Sequence, residues 1–237
     1  MSTGTPSPGF ARASLGSPTL LFVPTRVELE GLAELGGFEP LCCITRICGF
    51  GPVAAAASAA QALAELRPAR AVLLGIAGTY DIDRIAIGSA AEFDEVAIDG
   101  IGAGESAGFR SPAELGFPHW TSPVDGTRIF DRIALGTAPR CGVGRRLLLS
   151  VCATSDSRDM ASARHQRFPE ACAEDMEGFG VALASAIAGV PLRIVRGISN
   201  AAGDRDHARW RVREALAAAR ALLIASADGA SAEPGSR

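Results

Sequence analysis

The run Ala71-Val72-Leu73-Leu74-Gly75-Ile76 holds no polar side chain and leaves through Ala77-Gly78-Thr79. An apolar stretch of this kind, without alternation, predicts a strand covered on both faces, the habit of parallel sheets. The segments on either side fit that reading. Upstream, Pro52 opens an Ala-rich helix that ends near Leu66, ahead of Pro68, where proline suits the first helical turn. Further back lie a strand over Leu41–Ile47, a helix over Arg26–Leu35 stopped by Gly36-Gly37, and a short strand over Thr19–Val23. Downstream, alternating apolar residues over Ile85–Ile98 predict further strands. The Gly-, Ser- and Pro-rich stretch Gly100–Gly126 predicts a long surface excursion. Then follow a strand over Leu147–Cys152, a helix over Met160–Arg167, a buried helix over Gly178–Ile187 after an acidic turn, a strand over Leu192–Ser199 and a closing helix over His207–Ala225.

Strands alternating with helices, with no internal repeat, predict an α/β fold. The expected architecture is a single domain over 19–226 whose central twisted sheet, mixed but largely parallel, is flanked by helices. Residues 1–18 and 227–237 are rich in small and polar residues and are expected to be a disordered leader and tail.

Composition narrows the chemistry. The 237 residues carry 23 basic and 26 acidic side chains, a net charge of -3, and every basic residue is arginine. This balance lacks the basic footprint of a nucleic-acid binder. The absence of lysine excludes Schiff-base and phosphate-loop lysine chemistry. Residues 1–18 contain no apolar segment of signal-peptide type, and the uncharged run Gly178–Leu192 is too short to span a bilayer. The six cysteines form no CxxC pair, so they are read as small buried hydrophobes of a reducing cytoplasm rather than metal ligands.

In a parallel sheet, ligands gather at the carboxyl ends of the strands. Four strand exits stand out: Val23-Pro24-Thr25-Arg26-Val27-Glu28, Gly75-Ile76-Ala77-Gly78-Thr79, Glu174-Asp175-Met176-Glu177-Gly178-Phe179, and Arg196-Gly197-Ile198-Ser199-Asn200. Each has a local explanation. Glu28 and Glu177 sit where a helix dipole favours a carboxylate. Gly75 and Gly78 allow a tight strand exit. Ser199 and Asn200 suit a turn, and Met176 suits a core.

Taken in order, these segments resemble the nucleoside phosphorylase/nucleosidase superfamily, in particular its methylthioadenosine/S-adenosylhomocysteine nucleosidase branch. The resemblance covers about residues 19–226. It includes Gly49-Phe50-Gly51-Pro52-Val53-Ala54, the Gly75–Gly78 turn, His165-Gln166-Arg167-Phe168-Pro169 leading into Asp175-Met176-Glu177, and Arg196-Gly197-Ile198-Ser199. It implies that Glu28 is the base that activates water, that Met176 packs against a sugar, and that Glu177 accepts hydrogen bonds from the sugar hydroxyls. It further implies that Ala77 and Gly78 line the ribosyl site and that Ser199 supports the residue after it. The substrate would be a small nucleoside, with no metal or organic cofactor, and the protein a cytoplasmic homodimer or higher homo-oligomer.

The chain departs from the adenine-specific pattern at Asn200, where those members carry aspartate. A protonated carboxyl offers adenine one donor and one acceptor, whereas an asparagine NH₂ offers two donors to the N7 and O6 acceptors of a 6-oxopurine. A site built for one pattern leaves groups unpaired with the other. Asn200 therefore points to hypoxanthine or guanine, unless it only tolerates a left-handed turn. The run from Arg196 to Asp206, with Trp210 and Arg211, resembles a subfamily that hydrolyses a 6-oxopurine nucleoside bearing a carboxylated aromatic tail. That tail would call for an arginine or backbone amides. Asp204 either orients Asn200 or the base, or caps the final helix. Three other functions stay open: a purine nucleoside phosphorylase with Arg26 and Arg46 near its phosphate, an adenine nucleosidase, and a non-catalytic nucleoside-binding protein.

Overall fold

The computed structural model describes residues 18–38, 43–105, 108–136 and 146–230. The leader and tail expected at the two ends, residues 41–42 of an expected strand, and Cys42 and Cys141 lie outside these residues, apart from Pro18 and 227–230.

The N-terminal half builds β1 (Thr19–Val23), α1 (Arg26–Glu34), β2 (Cys43–Ile47), α2 (Gly51–Leu66) and β3 (Arg70–Thr79). Next come β4 (Ala90–Phe93), β5 (Glu95–Asp99), the one-turn α3 (Pro112–Leu115), and the short strands β6 (Trp120–Thr121), β7 (Arg128–Ile129) and β8 (Arg132–Ala134). The C-terminal part holds β9 (Leu147–Val151), α4 (Arg158–Arg167), β10 (Ala171–Asp175), α5 (Gly178–Ala188), β11 (Leu192–Ala201) and α6 (Val212–Ala230).

Among the described residues nine strands form one sheet, in the order β2-β1-β3-β10-β9-β5-β8, with β11 beside β3 and β4 beyond it. The β1–β2, β1–β3, β3–β11, β9–β10 and β5–β9 pairs are parallel. The β3–β10, β4–β11 and β5–β8 pairs are antiparallel. The sheet is therefore mixed and largely parallel, as the alternation of strands and helices predicts.

Two apolar layers cover it, and strand geometry explains both. Successive side chains point to opposite faces, so Leu20, Phe22, Ala71 and Leu73 join one cluster with Phe179 and Val181 of α5 and Ala55 and Ala59 of α2. Leu21, Val23, Val72 and Leu74 join the other, with Leu32 of α1 and Leu216 and Leu223 of α6. Gly197 lets α6 approach β11, because a Cβ there would strike the Ala215 carbonyl. Among the described residues, no helix is long and apolar enough to cross a membrane.

Two expectations need correction. The acidic turn before α5 is a strand, β10, whose five residues are all buried and which ends in Glu174 and Asp175. The closing helix is interrupted: a single 3₁₀ turn at His207–Arg209 precedes α6, which starts at Val212. The described residues of the expected excursion over Gly100–Gly126 are mostly exposed, and they contain α3 with a full capping box and the first strand of the β6–β7 hairpin.

Candidate active site

A cavity of about 470 Å³ opens at the carboxyl ends of β1, β3, β10 and β11. All eight residues singled out from the sequence line it: Glu28, Ala77, Gly78, Met176, Glu177, Ser199, Asn200 and Asp204. Its volume is in the range of small-molecule sites.

Glu28 comes from the first turn of α1. Thr25 caps that helix, its Oγ1 accepting from the Glu28 N–H at 3.2 Å. The Glu28 carboxylate does not cap in return. Its Oε2 accepts from Thr25 Oγ1 at 2.7 Å and its Oε1 from the Ile76 N–H at 3.0 Å, which pins it across the exit of β3. The reason for Gly75 is also visible here. It lies inside β3 rather than in a turn, and a Cβ on it would come within 2.6 Å of Glu28 Oε1 and collide with Arg196 Nη1.

Arg196 is the largest fully buried side chain among the described residues. Its Nε donates to Asp175 Oδ2 at 3.0 Å, and its Nη2 donates to the same oxygen and to Glu177 Oε2 at 3.3 Å. Burial works against its charge, but Asp175, Glu177 and Glu28 together raise its pKa above the ordinary value. Asp175 is anchored in turn by Ser150 Oγ at 2.6 Å and by the Gly178 N–H at 2.9 Å. Asp175 thus caps α5, and the neighbouring Glu177 is left free of that task. Glu177 Oε1 accepts from the Gly51 N–H at 3.0 Å. Burial pushes the Glu177 carboxyl up to about 7 against the pull of Arg196. A carboxylate has about four acceptor positions, so Glu177 keeps two for a ligand. Cys48 lies close enough to feel these charges. Burial, reinforced by Glu177 and Glu28, raises its thiol to about 12, which keeps it out of nucleophilic chemistry.

Asn200 lies in β11, not in a turn, and among the described residues Arg67 alone of the non-glycines has a positive φ. The β3–β11 register pairs Ile198 with Ala77 and Asn200 with Gly78, so it slips at Ser199. Such a slip re-aims side chains. Ser199 Oγ donates to Asn200 Oδ1 at 2.7 Å, and Asn200 Nδ2 donates to the Ala201 carbonyl at 2.9 Å. One of the two amide N–H groups is thereby engaged, so Asn200 presents one donor to a ligand in this arrangement rather than the two read from the sequence.

Asp204 bonds within its own loop rather than to the Asn200 amide or the first turn of α6. Its Oδ1 accepts from the Asp206 N–H at 3.0 Å and from Arg209 Nη2 at 2.7 Å, and its carbonyl accepts from Trp210 Nε1. The expected cap on the final helix is replaced by Asp206, which caps the 3₁₀ turn. Arg26 and Arg46 are exposed and do not line the cavity; Arg205 does. Sequence reasoning left out Ser155, Glu174 and Arg205 as lining residues. Glu174 belonged to a quoted strand exit, but its acidic neighbourhood read as a turn. Among the described residues, no three His, Cys, Asp or Glu side chains gather as a metal site.

The chain belongs to the phosphorylase superfamily, whose family profile matches residues 33–228. Within it, the chain is 37% identical over 175 residues to the futalosine hydrolase of Streptomyces coelicolor, covering 72% of each protein. It is 34% identical over 232 residues to the futalosine hydrolase of Thermus thermophilus, covering 91% of this chain and 99% of that one. Its family is thus that of the futalosine hydrolases. The fold is shared with the futalosine hydrolase of Helicobacter pylori, at a TM-score of 0.69 and 15% identity over 90% of this chain and 98% of that one. A methylthioadenosine/S-adenosylhomocysteine nucleosidase of Neisseria meningitidis, solved with methylthio-immucillin-A, superposes with a TM-score of 0.67 at 17% identity, covering 90% and 99%.

Proposed function

We propose that this protein hydrolyses the N-glycosidic bond of futalosine and releases hypoxanthine, a step of the futalosine route to menaquinone. The observation that carries the reading is the convergence of Glu28, Glu177 and Asn200 on one cavity. Glu28 takes a proton from water as it attacks C1′ of an oxocarbenium-like sugar; positioned base catalysis contributes about 10²–10⁴-fold. Glu177 accepts from the ribose hydroxyls with its two open positions and fixes the ring for attack. The free Asn200 N–H meets the charge that develops on N7 and O6 of the departing base, a preorganised dipole. Ala77 and Gly78 floor the ribosyl site, Met176 packs on the sugar, and Ser199 holds the amide.

Arg205 is the arginine of the cavity wall, with its Nη1 on Thr154 Oγ1 at 3.2 Å and the rest of its fork available. It is our candidate for the carboxylate of the aromatic tail, which suits a guanidinium. Val27 and Phe50 are 74% and 69% exposed at the cavity wall, and Val53, one turn of chain after Phe50, is 82% exposed. They support a homodimer in which a second copy covers this rim. We place the reaction in the cytoplasm, with no metal, organic cofactor, nucleic acid or membrane partner.

The test is Glu28→Gln. The variant is expected to bind futalosine with affinity close to wild type while hypoxanthine release falls at least about 10²-fold. Near-normal turnover removes Glu28 from the mechanism.

A further inference from the structure

Five carboxylates line the cavity, Glu28, Glu174, Asp175, Glu177 and Asp204, and Asp204 is taken up by Arg209 and the Asp206 N–H. The reading above gives work to Glu28 and Glu177, and Asp175 holds Arg196 and α5. Glu174 has no assigned task, although it is buried on the cavity wall.

Its surroundings supply donors. Glu174 Oε2 accepts from Tyr80 OH at 2.7 Å and from Ser155 Oγ at 2.7 Å, and Arg164 Nη1 stands 3.5 Å away. Glu174 Oε1 accepts from the Ser155 N–H at 2.8 Å. Burial next to Glu174 raises the Tyr80 phenol, which stays a donor. Arg164 is itself held by Asp99, which Arg167 also pairs. Two lone pairs per oxygen leave Oε2 filled and Oε1 with one acceptor position still open.

The sheet register sets Glu174 against Asn200. Glu174 of β10 and Asn200 of β11 are both partners of Gly78 on β3, one on each side. Neighbouring strands lie about 4.8 Å apart, so the two residues flank a gap about two strand spacings wide. Gly78 puts no side chain into that gap. A Cβ there would meet Asn200 Nδ2 at 3.4 Å.

A 6-oxopurine presents N7, O6 and N1–H in sequence along one edge, which reads acceptor, acceptor, donor. Adenine has a bare acceptor at N1. A donor from Asn200 on one side of the gap and an acceptor from Glu174 on the other match the first pattern. They oppose the second, because an adenine N1 lone pair would face a carboxylate. The Ser155 N–H, which could have served adenine N1 from the same wall, is already engaged by Glu174.

We infer that Glu174 is the second specificity residue of the site, accepting the N1–H of the 6-oxopurine through Oε1 while Asn200 serves the N7/O6 side. This rests on the 6-oxopurine reading above. A hydrogen bond to a charged acceptor, once lost, leaves a buried group unpaired and is commonly worth about 10–100-fold in affinity.

The test measures binding of three free bases to the full chain by calorimetry: hypoxanthine, 6-methoxypurine and adenine. 6-Methoxypurine keeps oxygen at C6 and nitrogen at N7 but has no hydrogen on N1. Wild-type protein should bind hypoxanthine at least about 10-fold tighter than 6-methoxypurine. Glu174→Gln should lose about 10–100-fold on hypoxanthine and bind 6-methoxypurine at least as well as wild type, because its NH₂ can face the bare N1. Its single acceptor oxygen must serve Tyr80 and Ser155, and its NH₂ then opposes N1–H. Equal weakening of both bases by Glu174→Gln means a structural role only and overturns the inference. If the variant fails to fold, the wild-type comparison still decides, since equal affinity for hypoxanthine and 6-methoxypurine excludes an N1–H contact. Tighter binding of adenine than hypoxanthine overturns the 6-oxopurine reading itself, and this inference with it.

Discussion

Ser199 Oγ donates to Asn200 Oδ1 across 2.7 Å at the point where β11 slips register against β3. The hydroxyl and the Ala201 carbonyl together set which way the amide faces, because Oδ1 needs a donor and Nδ2 an acceptor. Ser199→Ala removes one of these two constraints. The expected result is a loss of about 3–10-fold in kcat/KM for futalosine, with the thermal midpoint nearly unchanged. Steady-state kinetics beside a melting curve will show whether the two readouts separate.

Asn200→Asp exchanges the amide donor for a carboxyl. Its expected effect is larger, a loss of at least about 10²-fold on 6-oxopurine nucleosides, with some activity appearing on adenine nucleosides. Base release from matched hypoxanthine and adenine nucleosides will read the ratio. An unchanged ratio removes Asn200 from base recognition.

Gly75 gives Glu28 and Arg196 room to approach each other. Gly75→Ala should displace both, since its Cβ would stand 2.6 Å from Glu28 Oε1 and overlap the Arg196 guanidinium. Overpacking of this kind costs about 1–3 kcal/mol, and turnover should fall further than stability alone explains. Denaturant unfolding and kcat on the same preparation test this.

Glu177 gives stability and activity opposite pH slopes. Burial raises its carboxyl from 4.5 to about 7, against Arg196. Between these values the folded protein holds a proton that the unfolded chain has released. The stability contributed by this group is therefore complete below pH 4.5 and lost as pH rises through about 7. Accepting two sugar hydroxyls requires the ionised form, so kcat/KM should rise over the same interval. Glu177→Gln should lose that rising limb along with most substrate affinity. A limb that persists in the variant belongs to another group.

Much of this was legible in the residue order, and the misses share a physical cause. The wholly apolar β3 and the capped helices α1 and α2 announce themselves through burial and end signals that act locally. β10 does not, because Glu174 and Asp175 are acidic residues in a fully buried strand, made tolerable by donors from other segments, Tyr80 and Ser155 for Glu174 and Ser150 and Arg196 for Asp175. Local pattern cannot register a partner 21 residues away in Arg196. The same limit hid the engaged N–H of Asn200 and the true neighbours of Asp204. The eight candidate residues came from a resemblance in motif order, and the fold brings all of them to one cavity.

Arg205 carries the expectation about the substrate's far end. Arg205→Ala should raise KM for futalosine about 10-fold or more through the lost charge-assisted pair, while a nucleoside without the carboxylated tail, such as inosine, should be unaffected. An equal change on both substrates would assign Arg205 to the base or the loop instead.

The central claim meets its most direct test in side-by-side incubations of the purified protein with futalosine, methylthioadenosine and inosine, each with and without phosphate, followed by identification of the freed base. The account predicts that hypoxanthine is released fastest from futalosine and at the same rate whether or not phosphate is present. Faster release of adenine from methylthioadenosine, or release of hypoxanthine that requires phosphate, would contradict it.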